Sequence, residues 1–396
     1  MTRPAVHLTS RGEAPARARH PWIFSGAVAD VTGDPEPGAE VDILARDGEF
    51  LGRGLFNPHS QIRVRLYTPR DEALDGPFFV SRVRRAIELR RSLLGLDDPD
   101  GACRLVFSEG DGLSGLTVDR YGSYLAVQLT GLGMAGRLEP VLGALEEILS
   151  PTAIVVRTEK GVGEQEGLVL QDGPVRGDLP PAPIEIREGD LRFVVDLGTG
   201  QKTGFYLDQR ENRLRAAAYA AGRTVADVCS YSGGFSVATA VAGAERVTAV
   251  DVSAGALELA RANAQLNGVG ERVETVRSNA FEWLEAQGAE GHAYGLIVVD
   301  PPRFARTRRG IPSALQAYER LNRLAVQALE PGGILVTFSC SGRVAEADFV
   351  GAVCRGAAAT GRPVRILERL TQAADHPVAV TCPESAYLKG LVCVAE

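Results

Sequence analysis

The chain has 396 residues, of which 45% are hydrophobic and 23% charged, and it carries a formal net charge of −7. This length exceeds what one hydrophobic core usually supports, so we expect two or three folded domains rather than a disordered or fibrous chain. The negative net charge excludes a general polyanion binder, so any contact with nucleic acid must come from local basic patches.

The chain shows no pattern typical of secretion, membrane insertion or metal binding. It has neither a signal-peptide stretch at its start nor an apolar run long enough to span a bilayer. The six cysteines have no CxxC or Cys/His ligand spacing, and the five histidines are scattered. We therefore expect a cytoplasmic protein with reduced thiols and neither a metal nor a membrane partner.

Residues 1–68 predict a small β-rich domain. The stretch "GAEVDILARDGEFLGRGLFN" contains two strand-like runs around the turn "RDGE", and "QIRVRLYT" alternates as a half-buried strand does. Residues 69–184 predict a small α+β domain. Its strands and helix are expected in "LAVQLTG", "RLEPVLGALEEILS", "AIVVRTE" and "GLVLQDG", and the proline-rich "GDLPPAPIEIREGD" separates it from the next domain.

A basic helix, "FFVSRVRRAIELRRSLLG", opens the middle domain. Its arginines fit two interpretations equally well, a solvated helix face or a contact with RNA. These residues are Arg82, Arg84, Arg85, Arg90 and Arg91.

Residues 185–396 alternate strand and helix, which predicts a doubly wound α/β sheet of the Rossmann-like type. Four chemically notable residues, Asp227, Asp251, Asp300 and Cys340, each follow or end a predicted strand of this sheet. Ligands bind beyond the carboxyl ends of such strands, so the four residues should meet in one exposed crevice. A free cysteine is most often a buried small hydrophobe, and this placement favours a function for Cys340 instead.

The segment "DVCSYSGGFS" predicts a strand, a glycine turn and a helix, in which Ser230 and Gly233 are candidate cofactor contacts. The turn lacks both the GxGxxG fingerprint and the P-loop lysine. Asp251, at the end of the second strand, can accept hydrogen bonds from a ribose diol. Asn279 and Ala280 should lie near an adenine. The pattern predicts S-adenosylmethionine rather than NAD as the cofactor.

The segment "VDPPRFARTRRG" places a rigid Asp-Pro-Pro before a basic loop. The two prolines fix the backbone and donate no N–H, so they hold the Asp300 carboxylate at a set angle. A basic loop beside a cofactor crevice suits a phosphate backbone. Its candidate RNA-binding residues are Arg303, Arg306, Arg308 and Arg309.

The motifs "GQKTGFYLDQREN", "VCSYSGGFS", "DPPRF", "FSCSG" and "HPV…YLKGL" resemble the large-subunit ribosomal RNA cytosine C5-methyltransferases of the RlmI type, over essentially the whole chain. The resemblance implies an N-terminal PUA RNA-binding domain that includes "RARHPWIFSGAV". There we expect Arg17, Arg19 and Trp22 to contact RNA. It also implies that "QKTGFYLDQR" forms a hairpin-like cover over S-adenosylmethionine. The residues carried over are Lys202, Phe205, Tyr206, Asp208, Gln209 and Arg210.

The resemblance and the residues together predict methylation of a cytosine at C5 in 23S ribosomal RNA or a large-subunit assembly intermediate. Cys340 would add to C6 of the base as a thiolate, and Asp300 would bind the N3/N4 edge as well as lie beside the cofactor. Two alternatives remain open: methylation of uridine C5 or of another ribosomal RNA base, and a non-catalytic RNA-binding assembly factor. The oligomeric state is also open, with a homodimer among the options.

Overall fold

The computed structural model describes residues 3–158, 161–198, 204–305 and 307–396. The chain folds into two compact units. The first comprises residues 1–184, 196–205 and 374–385, and the second comprises residues 185–195, 206–373 and 386–396. The sequence-based division at residues 68 and 184 into three domains stays a prediction.

The first unit begins with a six-stranded sheet whose strand order is β2-β6-β5-β4-β1-β3. Its buried core contains Val6, Val41, Ile43 and Val64. The expected hairpin around "RDGE" is present, because β4 and β5 pair antiparallel and Gly48 takes the left-handed φ of 88° that the turn needs. The elements are β1 (Ala5–Leu8), α1 (Ser10–Arg17), β2 (Trp22–Phe24), β3 (Val28–Thr32), β4 (Glu40–Leu44), β5 (Phe50–Phe56) and β6 (Ile62–Thr68).

The same unit continues with a five-stranded sheet in the order β11-β10-β9-β8-β7. Helices α2 and α4 contribute Phe79, Val83, Leu142 and Leu145 to its core. The elements are α2 (Gly76–Glu88), β7 (Ala102–Phe107), β8 (Leu116–Tyr121), β9 (Tyr124–Leu129), α3 (Leu132–Ala135), α4 (Leu138–Leu149), β10 (Ala153–Arg157), α5 (Val162–Glu166) and β11 (Gly173–Arg176).

One predicted strand in this region is wrong. The stretch "GLVLQDG", residues 167–173, enters the sheet only at its last residue, where β11 begins. Val169 is 97% exposed, so the apolar residues there do not share a buried face. A short apolar run by itself does not distinguish a strand from a loop.

The arginines of the basic helix and the turn after it mostly hold the first unit together. Arg82 donates to the carbonyls of Gly112 and Tyr67, and Arg84 pairs with Glu147. A second set of pairs joins fully buried Arg90 to Asp111, and Arg91 to Asp97. Of the five arginines, Arg85 alone is exposed without a side-chain partner among the described residues. Most of these arginines are therefore engaged within the fold, which weakens the interpretation that they contact RNA.

The second unit is built on a seven-stranded sheet in the order β16-β15-β14-β17-β18-β20-β19. The first five strands in that order are parallel, and β20 runs antiparallel to β18 and β19. The strands are β12 (Ile184–Glu188) and β13 (Leu191–Val195), which form a separate hairpin, then β14 (Thr224–Val228), β15 (Arg246–Asp251), β16 (Val273–Arg277), β17 (Tyr294–Val299), β18 (Leu329–Ser339), β19 (Val364–Thr371) and β20 (Lys389–Ala395).

Helices connect these strands and cover the sheet. They are α6 (Arg210–Ala217), α7 (Gly234–Val241), α8 (Ala254–Leu266), α9 (Ala280–Glu290), α10 (Ile311–Gln327) and α11 (Glu346–Ala358). The central strands are continuous apolar runs because both faces of a parallel sheet are buried. Strand order reverses at β14 and β17, which makes their carboxyl ends the switch point where ligands bind. The predicted doubly wound α/β fold is confirmed.

No helix in the described ranges is both long and apolar enough to cross a membrane.

Candidate active site

Three of the predicted residues lie at the carboxyl edge of the sheet and are partly exposed. Asp251 ends β15, Asp300 directly follows β17, and Cys340 directly follows β18. These strands and β14 are neighbours in the sheet, so their ends lie along one edge.

Asp227 differs from the other three residues because it is fully buried within β14. The expectation that it is exposed in the crevice is wrong. One of its oxygens accepts hydrogen bonds from the backbone N–H of Ser236 at 2.9 Å and from the Ser236 hydroxyl at 2.6 Å. Burial raises the pKa of Asp227 to about 6, although both of these hydrogen bonds act to lower it. Asp227 therefore stabilises the first turn of α7.

The turn between β14 and α7 has an unusual backbone. Cys229, Tyr231 and Gly233 have φ values of 65°, 48° and 76°, and left-handed φ is uncommon outside glycine. At Gly233 a Cβ would lie 2.9 Å from the Cβ of Ala260, so the approach of α8 also requires glycine. Strained backbone of this kind concentrates at functional sites because ligand contacts need it.

The carboxylate of Asp251 is held between two turns. One oxygen accepts from the backbone N–H of Tyr231 at 3.0 Å and the other from Ser253 at 2.9 Å. An ionised carboxylate has about four lone-pair sites, so two remain for the hydroxyls of a ribose. Its geometry thus suits the predicted contact with a nucleoside.

Asn279 is the N-cap of α9, since its side-chain oxygen accepts from the backbone N–H of Phe281 at 2.9 Å. Asparagine is among the favoured capping residues, which explains its presence here. Ala280 is the first residue of the helix. The side chain of Asn279 is exposed at the same edge of the sheet, where β16 ends.

The segment predicted to cover the cofactor is only partly described. Lys202 lies outside the described residues. The described part, from Gly204, forms a 3-10 turn over Leu207–Gln209 that leads into α6, so the expected hairpin is wrong for this part. Phe205 belongs to the first unit, where its backbone N–H donates to the Tyr121 hydroxyl at 3.2 Å.

Residues 206–210 bring polar side chains to the sheet edge in the second unit. The ring of Tyr206 packs edge-on against Tyr231, and burial followed by the charge of Asp300 raises its pKa. Buried Asp208 accepts a hydrogen bond from the hydroxyl of Tyr387.

The side-chain amide of Gln209 donates to Asp300 at 3.0 Å, and its oxygen accepts from Asn212 at 2.6 Å. These two bonds fix the orientation of the Gln209 amide. Arg210 instead lies 3.7 Å from Glu188, in an ion pair within the unit. Sequence reasoning found Gln209 and Asp300 but not the bond between them, because the two residues are far apart in the chain.

Cys340 lies at a fixed turn. Its Sγ is 3.7 Å from the carbonyl oxygen of Pro301, which belongs to the Asp-Pro-Pro motif. The hydroxyl of buried Tyr318 bonds to the hydroxyls of Ser339 and Ser341 at 2.9 and 3.0 Å. Both neighbours of Cys340 are therefore anchored to α10, an arrangement that sequence reasoning did not predict.

The structure places a second cysteine at this edge. Cys229 directly follows β14 and so occupies a strand end, as Cys340 does. Burial, followed by the charges of Asp300, Asp251 and Asp227, raises the pKa of the Cys229 thiol. Cys229 is therefore a poor source of thiolate.

The remaining cysteines do not compete with Cys340. Cys103, Cys382 and Cys393 are buried, and burial raises the pKa of Cys382 and of Cys393 to about 12. Cys354 is exposed on α11, away from any strand end. None of the six is in a disulfide.

The predicted RNA-binding residues fall into two groups, one in each unit. In the first unit, Arg17 is 2.7 Å from Glu49 and already paired, whereas Arg19 is exposed. The indole N–H of Trp22 donates to Glu109 at 2.8 Å, which gives this residue a structural role.

The second group is the loop after Pro302. Arg303, Arg308 and Arg309 are exposed in this loop, which begins beside Asp300. Arg306 lies outside the described residues.

Within the described ranges, His20, Cys382 and Glu384 form one group whose ligand atoms lie close enough to hold a metal ion. The Nδ1 atom of His20 accepts from the backbone N–H of Trp22 at 3.1 Å, which places the proton of the neutral ring on Nε2. Nε2 lies 3.1 Å from Glu384 and donates to it. The geometry is that of a hydrogen bond, since a ligating nitrogen would need a free lone pair.

Comparison with known proteins agrees with this fold. The S-adenosylmethionine-dependent methyltransferase family model matches residues 177–392, and a PUA-like domain model matches residues 6–69. The fold is that of an S-adenosylmethionine-dependent methyltransferase preceded by a PUA-like domain, and the cofactor is S-adenosylmethionine.

Similar proteins show to which family of methyltransferases the chain belongs. The chain is 41% identical to ribosomal RNA large subunit methyltransferase I of Klebsiella pneumoniae (strain 342), over 98% of each chain. It is 40% identical to the protein of that name from Salmonella arizonae, over 98% of this chain and 97% of the other. A methyltransferase structure from Streptococcus mutans shares the fold at 21% identity, with a TM-score of 0.86 over 98% of this chain and 99% of that one. The chain belongs to the family of ribosomal RNA large subunit methyltransferase I.

The residues at the sheet edge fit this cofactor. The hydroxyl of Ser230, in the turn between β14 and α7, is buried with no hydrogen-bond partner among the residues that the structure describes. A buried polar atom without a partner is costly, so a ligand that supplies one is favoured. With the remaining lone pairs of Asp251, the edge has polar groups that could hold a nucleoside.

Proposed function

We propose that this chain methylates a cytosine at C5 in large-subunit ribosomal RNA, through a covalent bond between Cys340 and C6 of the base. The observation that carries the proposal is Cys340 at the end of β18, with its Sγ 3.7 Å from the carbonyl of Pro301. A thiol at this edge has no use in methyl transfer to an already nucleophilic atom. A thiol is useful in methyl transfer to C5, because C5 is a poor nucleophile until a thiolate adds to C6.

The proposed reaction has two stages, addition of the thiolate with methyl transfer and then release of the thiolate. The Cys340 thiolate forms a bond to C6, and the electron pair of the C5–C6 double bond makes C5 nucleophilic. Bound S-adenosylmethionine supplies the methyl group that C5 takes up. A base then removes the C5 proton, and the restored double bond expels the thiolate.

Asp300 is proposed to hold the N3/N4 edge of the cytosine. In its protonated form it would donate a hydrogen bond to N3, where negative charge develops as the thiolate adds to C6. The bond from Gln209 to Asp300 supports this role, because it orients the carboxylate before the base arrives. The second proline, Pro302, supplies no N–H and no thiol, so the proton from C5 goes to another group.

The RNA is proposed to contact both units. Exposed Arg308 and Arg309 follow the Asp-Pro-Pro motif and would contact phosphates beside the target base. Exposed Arg19 would contribute from the PUA-like domain, while Arg17 is already paired with Glu49. The names of the similar proteins support ribosomal RNA as the substrate, either free or in an assembly intermediate. A ribosomal RNA substrate in turn supports a cytoplasmic location.

The decisive experiment traps the covalent bond. Wild-type protein with S-adenosylmethionine and large-subunit ribosomal RNA containing 5-fluorocytidine should form an adduct that resists SDS. The fluorine at C5 cannot leave as a proton does, so the thiolate stays attached. Cys340→Ala should form no adduct and no 5-methylcytosine, yet bind S-adenosylmethionine as the wild type does in calorimetry.

Cys229→Ala is the matched control, because this cysteine also follows a strand at the same edge. It should keep the adduct. An adduct with 5-fluorouridine RNA alone would replace the proposal with uridine methylation. Full methylation by Cys340→Ala would refute the covalent mechanism.

A further inference from the structure

Lys389 is a basic residue beside Cys340 that sequence reasoning did not assign. It is one of only three lysines among the 43 basic Lys and Arg residues of the chain. It opens β20, which pairs antiparallel with β18, and its Cα partner across the sheet is Ser339. Its Nζ donates at 2.9 Å to the carbonyl oxygen of Ser341. Ser339 and Ser341 are the two neighbours of Cys340 in the chain. The ammonium of Lys389 therefore binds the backbone of the residue that directly follows Cys340.

Two backbone carbonyls bind the ammonium of Lys389. Its Nζ donates a second hydrogen bond at 2.9 Å to the carbonyl oxygen of Tyr387, and an ammonium has three donors. Burial lowers the pKa of Lys389, and the negative charges of Cys340 and Glu346 oppose that effect. The two carbonyls hold the Lys389 side chain in a half-buried position.

Three other titratable groups lie around the thiol. Asp300 approaches from the end of β17, Tyr318 from α10 and Tyr206 from the turn before α6, and the charge of Cys340 acts on both tyrosines. The carboxylate of Asp300 disfavours a neighbouring thiolate. Lys389 is a cation bonded to the turn that carries Cys340, so it can offset Asp300.

We infer that Lys389 is a positioning residue for Cys340: its ammonium holds the turn through the carbonyl of Ser341 and favours the thiolate form of the Cys340 side chain. The thiol proton leaves to solvent, and the sulfur keeps the electron pair that forms the bond to C6. The inference rests on the proposed function for its purpose, since a thiolate is useful here as a nucleophile.

The test follows alkylation of Cys340 by iodoacetamide as a function of pH, in the protein without RNA or cofactor, with each cysteine peptide quantified by mass spectrometry. Lys389→Met removes the charge at similar length, and Lys389→Arg keeps it. The midpoint pH of the alkylation profile of Cys340 should rise by about 1 pH unit or more in Lys389→Met. This rise corresponds to about tenfold slower alkylation at neutral pH. It should stay near the wild-type value in Lys389→Arg.

Exposed Cys354 is an internal reference in the same samples, because it lies on α11 and not at the sheet edge. Its profile should not move in either variant. An unchanged Cys340 midpoint in Lys389→Met would overturn the inference. Equal shifts in both variants would also overturn it, because the charge would then not be the agent.

This experiment separates the inference from the proposed function. Alkylation requires neither RNA nor methyl transfer, so a shift in Lys389→Met supports the inference even if no adduct forms with 5-fluorocytidine RNA. If the adduct forms and the midpoint does not shift, the proposed function stands and the role of Lys389 is refuted.

Discussion

Asp227 makes the stability of the methyltransferase unit depend on pH. This carboxyl is fully buried, with two hydrogen bonds from Ser236 to one oxygen and no partner for the other among the described residues. Burial raises its pKa from the ordinary value of 3.8 to about 6. The variant Asp227→Asn has nearly the shape of the protonated acid and never ionises, so it isolates the cost of the buried charge.

The size of the effect follows from the two pKa values. The folded state holds the proton more tightly than the unfolded state, so the free energy of unfolding falls as the pH rises from about 4 to about 6. It stays lower above that range, once both states are ionised. A difference of about 2 units corresponds to about 3 kcal/mol. Asp227→Asn should therefore gain stability relative to the wild type by about 3 kcal/mol from well below pH 3.8 to well above pH 6, of which about 2 kcal/mol falls between about pH 4.5 and about pH 7.5.

The assay is urea unfolding of both proteins at several values from about pH 4.5 to about pH 7.5. The two tryptophans of the chain, Trp22 and Trp283, lie in different units. A Trp22→Phe background makes the fluorescence of Trp283 report the methyltransferase unit. Ser236→Ala removes a hydrogen bond that favours the charged form, so it should enlarge the loss of stability with rising pH. A difference between Asp227→Asn and the wild type that is constant over this range would refute the reasoning.

Two further predictions concern the cofactor and the RNA. Asp251→Asn should weaken S-adenosylmethionine binding by about 1–3 kcal/mol, or about 5- to 150-fold in calorimetry, because the variant has no charged acceptor for the ribose; unchanged affinity would contradict the assigned cofactor site. Replacing Arg308 and Arg309 by alanine should flatten the plot of log RNA affinity against log salt by about 0.7–0.9 for each phosphate that the loop no longer neutralises, while S-adenosylmethionine affinity stays the same. An unchanged slope with normal methylation would make this loop a solvated surface.

Much of the site could be predicted from the sequence because its signals are local. A buried apolar strand followed by a polar residue, as at Asp251, Asp300 and Cys340, identifies a strand end whatever the rest of the chain does. Doubly wound topology then brings such ends to one edge. The glycine turn before α7 was found in the same way, since Gly233 is needed for a left-handed φ and a close approach by Ala260.

Other features could not be predicted, because they depend on which distant segments pack together. The strand-end pattern does not distinguish buried Asp227 from half-exposed Asp251, since burial depends on where α7 lies. The same pattern did not show that Cys229 lies at the edge that also carries Cys340. Desolvation and three nearby carboxylates raise the pKa of the Cys229 thiol there. The sequence also did not show which arginines of the basic helix are available for RNA, whereas the structure has Arg90 buried in an ion pair with Asp111.

The sequence by itself determined the order of strands and helices, the positions of the strand ends and the residue types available there, because hydrophobic periodicity and turn residues act over a few neighbours. Only the tertiary structure decided how the reactive groups are supported. Gln209 orients Asp300, Tyr318 anchors both neighbours of Cys340, and Lys389 reaches the same turn from the last strand. These contacts join residues far apart in the chain, and the free energy of burying each polar group depends on the partner that the fold brings to it.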